Sequence, residues 1–145
     1  MEAHQITRMR HGPDHGNTLG ACLAAGLFFV AQGDPAGAEP YLRERLAHFH
    51  REPADNPERR MVQYWLGQSL IALAKYADAE PLLISAYEGL KPRERGKPPR
   101  NQAELKVVID QINRLYTAWG KKDEAQKWST RFDDLDFPER PFASP

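Results

Sequence analysis

The feature that most limits what this chain can fold into is an internal repetition. With Gly33, Ala74 and Gly120 placed in register, alanine recurs five residues on in all three segments, as Ala38, Ala79 and Ala125. Four residues before the register point stand Phe29, Leu70 and Tyr116, and seven to eight before it stand Ala25-Gly26, Leu66-Gly67 and Ile112-Asn113. The offsets are 41 residues from Gly33 to Ala74 and 46 from Ala74 to Gly120, and the proline-rich stretch KPRERGKPPR, Lys91 to Arg100, supplies the longer spacing. A period of this size marks stacked supersecondary units. Small residues at fixed positions let two antiparallel helices approach closely, while large apolar ones fill the gap between neighbouring pairs. The pattern therefore predicts an all-α fold, an α-solenoid of about three helical hairpins.

The local signals agree. Sustained period-two alternation and Asn-Gly or Asp-Gly turns are missing, so strands are not expected. Helices are predicted over about Asn17–Ala31, Asp34–His50, Asn56–Ala74, Asp78–Leu90, Asn101–Trp119 and Lys122–Leu135. Asp34-Pro35 and Asn56-Pro57 each place a capping side chain before a proline at the first helical position. Apolar residues are so dense in the first helix that it is expected to be covered on several sides. Two helices carry an Ala-Glu-Pro block, ending at Pro40 and Pro81. Proline is free of cost only where the N–H has no intrahelical acceptor. With Ala77 as cap, Pro81 becomes the fourth helical residue. Counting from Asp34-Pro35 puts Pro40 in the interior, so either that helix begins nearer Ala36 or it bends at Pro40.

Leu66-Gly67, Leu70, Ala74, Tyr76, Ala79, Leu83 and Ala86 resemble the tetratricopeptide repeat pattern, with Gln63 in place of its usual tryptophan. The long period and the Ala-Glu-Pro block look like the kinesin-light-chain subclass. HGPDHGNTL, LISAYEGLKPRE and YTAWGKKDEAQKW look like repeats appended to bacterial serine/threonine protein kinases. The resemblance runs from about His11 to Leu135. It implies a domain over 11–135 with repeats at about 17–52, 57–91 and 101–135. Residues 1–10 are then a helical extension or remnant, and 136–145 a proline-rich tail. The third repeat departs most, with Asn113 at the small position and Ser129 where an apolar residue is usual. Solenoids need capped ends. Either the chain is part of a longer array, or its ends pack on another copy or on the tail, through Phe137 and Phe142.

Composition narrows the function. Twenty basic and twenty acidic residues cancel, which gives no field for nucleic acid or an anionic membrane. The longest apolar run, Leu19–Ala31, is too short to span a bilayer. A single cysteine, Cys22, suits a reducing compartment, so the cytoplasm is expected. Kinase chemistry lacks its glycine-rich loop, His-Arg-Asp and Asp-Phe-Gly motifs. No metal is expected: His11 and His15 bracket Asp14 in a Gly-Pro loop, and His48 and His50 would point about 200° apart on a helix. Cys22 reads as a buried, inert thiol and Asp133, Asp134 and Asp136 as a solvated helix end. The basic loop 91–100 and the Pro138–Pro141 spacing read as solvated chain. No catalytic residue or cofactor is expected.

What remains is a binding surface. The resemblance implies that the first helix of each pair lines a concave groove where ligands lie. That projection gives Leu23, Leu27 and Val30, then Met61, Tyr64, Gln68 and Ile71, then Val107, Asp110 and Arg114. Lysines and asparagines that clamp a terminal carboxylate in some members are missing from these positions, which argues against chaperone-tail binding. Apolar and aromatic anchors suit an amphipathic helix or an extended apolar segment of a protein partner. The expected function is a non-catalytic scaffold for protein–protein interaction. The alternatives are a regulatory or sensory segment of a bacterial kinase system and, resting only on the histidines, a small metalloprotein or enzyme.

Overall fold

The computed structural model describes residues 16–49, 56–91 and 102–131. Within them lie six helices and no strand: α1 Gly16–Ala31, α2 Pro35–Ala47, α3 Pro57–Ala72, α4 Tyr76–Leu90, α5 Gln102–Trp119 and α6 Lys122–Ser129. The loop 91–100 beyond Lys91, the amino-terminal extension, the tail, and the phenylalanines and aspartates assigned to the chain's end fall outside the described residues, as do His11, His15 and His50.

The register residues do the same backbone work three times. Gly33, Ala74 and Gly120 have φ of 71°, 60° and 81°. Each N–H bonds the carbonyl three residues back (Val30, Ile71, Thr117) at 3.0, 3.0 and 3.2 Å. The next N–H bonds the carbonyl of Phe29, Leu70 or Tyr116 at 2.9, 2.8 and 2.9 Å. This pair of bonds around a left-handed residue is the Schellman ending, which satisfies carbonyls orphaned at the end of a helix. Glycine enters that region without strain, so Ala74 is the one turn that carries a Cβ penalty.

Across each turn, small residues set the approach of the two helices. A Cβ on Gly26 would lie 2.7 Å from Leu42 Cδ2, and one on Gly67 2.7 Å from Leu83 Cδ2. Leu42 and Leu83 are fully buried, so the glycines are what allow them to fit. The third hairpin solves the same position differently. Asn113 replaces the glycine and Ser129 the leucine, and Asn113 Nδ2 donates to the Ala125 carbonyl at 2.6 Å. A polar bond thus replaces an apolar contact at the same register.

Successive helices pack in chain order, and α1 also meets α3, as α3 meets α5. The core runs through Ala38, Leu42, Leu66, Leu70, Leu83, Leu105, Ile112 and Leu115. Between hairpins, Arg60 Nε donates to Glu104 Oε1 at 3.1 Å, tying α3 to α5. Lys75 Nζ donates to both Glu39 oxygens at 2.8 Å, and Arg43 bridges Glu39 and Asp78. The Lys75 ammonium, with Arg43, holds the Glu39 carboxyl below its ordinary value.

The cap-then-proline sites act as expected: Asp34 Oδ1 accepts from Gly37 N–H at 2.9 Å and Asn56 Oδ1 from Arg59 N–H at 3.0 Å. Two expectations are corrected and one pair of alternatives is narrowed. For α2, a start nearer Ala36 is excluded: the helix begins at Pro35 and Pro40 is interior. Helix α4 begins at Tyr76 after Lys75, not after Ala77, and Pro81 is its sixth residue, as Pro40 is of α2. Each proline forfeits a bond to the carbonyl four residues back, on Ala36 or Ala77. Those alanines and both prolines are exposed, so water can serve the freed carbonyls. Finally, α1 is covered along one stripe: Cys22, Ala25 and Gly26 are buried, but Phe28 is 48% exposed. Its apolar density reflects an open face.

Candidate functional site

Helices α1, α3 and α5 each bury one stripe against their hairpin partners and leave another for a ligand or for solvent. On α1, Leu23, Leu27 and Val30 share a face at helical spacing and are partly buried. On α3, Met61, Tyr64, Gln68 and Ile71 do the same. On α5, Val107, Asp110 and Arg114 are exposed, with Val107 at 46%. Of these, Leu23, Val30, Tyr64 and Ile71 pack against the core with part of their surface still open.

The structure gathers two of these residues, Val30 and Gln68, into one cleft. It has a volume of about 420 Å³ and lies where the first turn meets α3. Val30, Ala31, Gly33, Asp34 and Pro35 form one wall, and Trp65, Gln68, Ser69 and Ala72 the other. The size is within the range of small ligand pockets or a single large side chain. Trp65 is partly buried and meets Tyr64 edge to face, with ring centroids 5.0 Å apart. Gln68 Oε1 is shut off from solvent and accepts no hydrogen bond from any described residue. The remaining eight predicted positions are not among the residues lining this cleft.

Trp65 and Asp34 are the residues the sequence reading missed. A groove projected along one stripe of each helix takes Tyr64 and passes over its neighbour, about 100° around the helix. Asp34 was read only as a cap, yet it also lines the cleft from the turn. The available signal was the tryptophan itself: a large aromatic on a helix whose partners are already filled by leucine.

A second cleft, of about 380 Å³, lies between α2 and α4 and is lined by Arg43, Leu46, Ala47, Leu66, Ala77, Asp78, Pro81 and Leu82. Arg43 Nη2 and Asp78 Oδ2 close ranks beside it at 3.2 Å, so its charges are mutually satisfied.

Chemistry-bearing residues are sparse. Cys22 is fully buried, its Sγ donates to the Tyr41 carbonyl at 2.8 Å, and burial with the nearby Glu44 carboxylate pushes its pKa up to about 12. Such a thiol stays protonated near neutrality and is a poor nucleophile. Among the described residues no group of three or more His, Cys, Asp or Glu side chains could hold a metal. Among them also, no helix is long and apolar enough to cross a membrane. No protein-family model matches this chain, and no curated protein matches it.

Proposed function

We propose that this chain is a non-catalytic scaffold of tetratricopeptide type, an α-solenoid whose first helices, α1, α3 and α5, form a groove that takes a segment of a protein partner. The observation that supports it best is the repeated hairpin: three Schellman turns at one register, with the Gly26–Leu42 and Gly67–Leu83 approach recurring at one offset. Hairpins alike in register stack in a constant sense, so their first helices share one side. That side keeps apolar and aromatic surface open at Leu23, Leu27, Val30, Tyr64 and Trp65. Anchors of this kind, partly desolvated and rigid, are what a bound helix or extended strand uses.

The test is affinity capture with the Tyr64→Ala and Ile71→Ala variants beside a Leu82→Ala control on α4. Loss of the captured partners in the first two, with retention in the control, supports the groove. Capture of the same partners by all forms refutes it.

A further inference from the structure

The cleft between the first turn and α3 is selective in the chemistry it offers. Its single charged lining residue is Asp34, whose Oδ1 also accepts from Gly37 N–H, and no lining residue is a cation. Gln68 lies in its wall, and the Oε1 of that amide is buried and accepts from no described residue. An acceptor left without a donor costs free energy comparable to a lost hydrogen bond, so Oε1 gains by turning outward to meet one. The last torsion of a glutamine is soft, and the amide can turn Oε1 toward the cleft. Trp65 adds an aromatic ring, partly open, on the same wall. Two acceptors, one anionic, beside an indole are the surroundings an arginine or lysine side chain finds favourable: the charge faces Asp34, a donor meets Gln68, and the cation lies against the ring.

The next step of the fold has the opposite character. At the register of Asp34 stands Lys75, and at the register of Gln68 stands Arg114. Cations stand there where the first cleft has acceptors, so the same set of groups is not repeated at that step.

We propose that this cleft is the specificity pocket of the groove and takes a basic side chain, arginine above all, from an otherwise apolar partner segment. The inference rests on the groove reading above and adds the charge of the segment. Its test uses three soluble serine- and leucine-containing decapeptides, blocked at both ends, with arginine, glutamine or glutamate at the central position. Each is titrated into the full ¹⁵N-labelled chain and followed by chemical shifts. The arginine peptide is expected to move the Trp65 indole N–H and the Gln68 side-chain amide, and to bind at least about fivefold tighter than the glutamine peptide. Asp34→Asn keeps a capping side chain while removing the charge, and should weaken the arginine peptide about fivefold and the glutamine peptide by less. Gln68→Leu provides a second variant, expected to weaken it severalfold.

Equal binding of the three peptides, tighter binding of the glutamate peptide, or an Asp34→Asn protein that binds arginine unchanged would each overturn the proposal. If a peptide moves Leu23, Tyr64 and Ile71 without preference for arginine, the charge inference falls and the groove reading stands. If no peptide moves any of these residues, the inference falls, and the capture experiment decides the broader reading by itself.

Discussion

Gly67→Ala should destabilise this protein even though alanine is the better helix former. The added methyl would stand 2.7 Å from Leu83 Cδ2 and 2.8 Å from Leu83 Cγ. Leu83 is fully buried, and its Cγ is not a flexible end that can swing away. Overpacking of this kind costs about 1–3 kcal/mol. The helix-propensity gain of alanine over glycine is about 1 kcal/mol. The net expectation is a loss of about 1 kcal/mol. In a Leu83→Ala background the obstacle is gone, and the same substitution should then stabilise by about 1 kcal/mol. The coupling between the two sites is therefore about 2 kcal/mol, well above the few tenths seen for independent sites. Gly20→Ala is the control: no described residue lies within 4 Å of its added Cβ, so only the propensity gain is expected. Urea unfolding followed by circular dichroism gives all five stabilities. If Gly67→Ala stabilised the wild-type and Leu83→Ala proteins equally, the close approach would not be what glycine is there to permit.

Further outcomes follow from single contacts. Ala74→Gly should raise stability by about 0.5–1 kcal/mol, since relief of a left-handed alanine exceeds the extra unfolded-state entropy of glycine; an unchanged urea midpoint would count against strain at φ 60°. The Glu39 carboxyl titrates below its ordinary value of 4.5, so its ion pairs stabilise above that pH and are lost as pH falls through the lower folded value. Wild type should therefore exceed Glu39→Gln by up to about 1 kcal/mol near pH 6, with the gap closing as pH falls below 4.5; a gap that persists in strong acid would contradict the pairing. Cys22, its thiol pushed up to about 12, should react with a disulfide reagent at pH 8 at least about a hundredfold more slowly in the folded protein than in urea, and fast native labelling would show that it is not buried as described.

The hairpins were legible because their demands fall on residue type. A left-handed turn asks for glycine, and Gly33 and Gly120 supply it; Ala74 could be placed only because its neighbours kept register. Close helix approach asks for a missing side chain, and Gly26 and Gly67 supply that too. The starts of α2 and α4 were harder. Lys75 precedes α4 without any side-chain capping bond, so nothing in its chemistry marks a boundary, and Ala77 looked the better stop. Pro40 and Pro81 look like helix starts to a reader who knows only that proline lacks an N–H. Their tolerance depends on exposure of Ala36 and Ala77, which is a property of packing. The candidate site was legible as a set of faces, not as a cleft. Val30 and Gln68 were named from helical spacing, but their meeting with Trp65 and Asp34 depends on how α3 lies against the first turn. Spacing along one helix carries no information about that distance.

Site-specific photocrosslinking tests the central claim most directly. A benzophenone amino acid placed at Tyr64 faces the proposed groove, and one placed at Leu82 faces the α2–α4 side. On irradiation in cells that express the chain, the account predicts a discrete covalent partner from position 64, reduced by Ile71→Ala, and none of the same mass from position 82. The same partner captured at position 82 but not at 64 would contradict it.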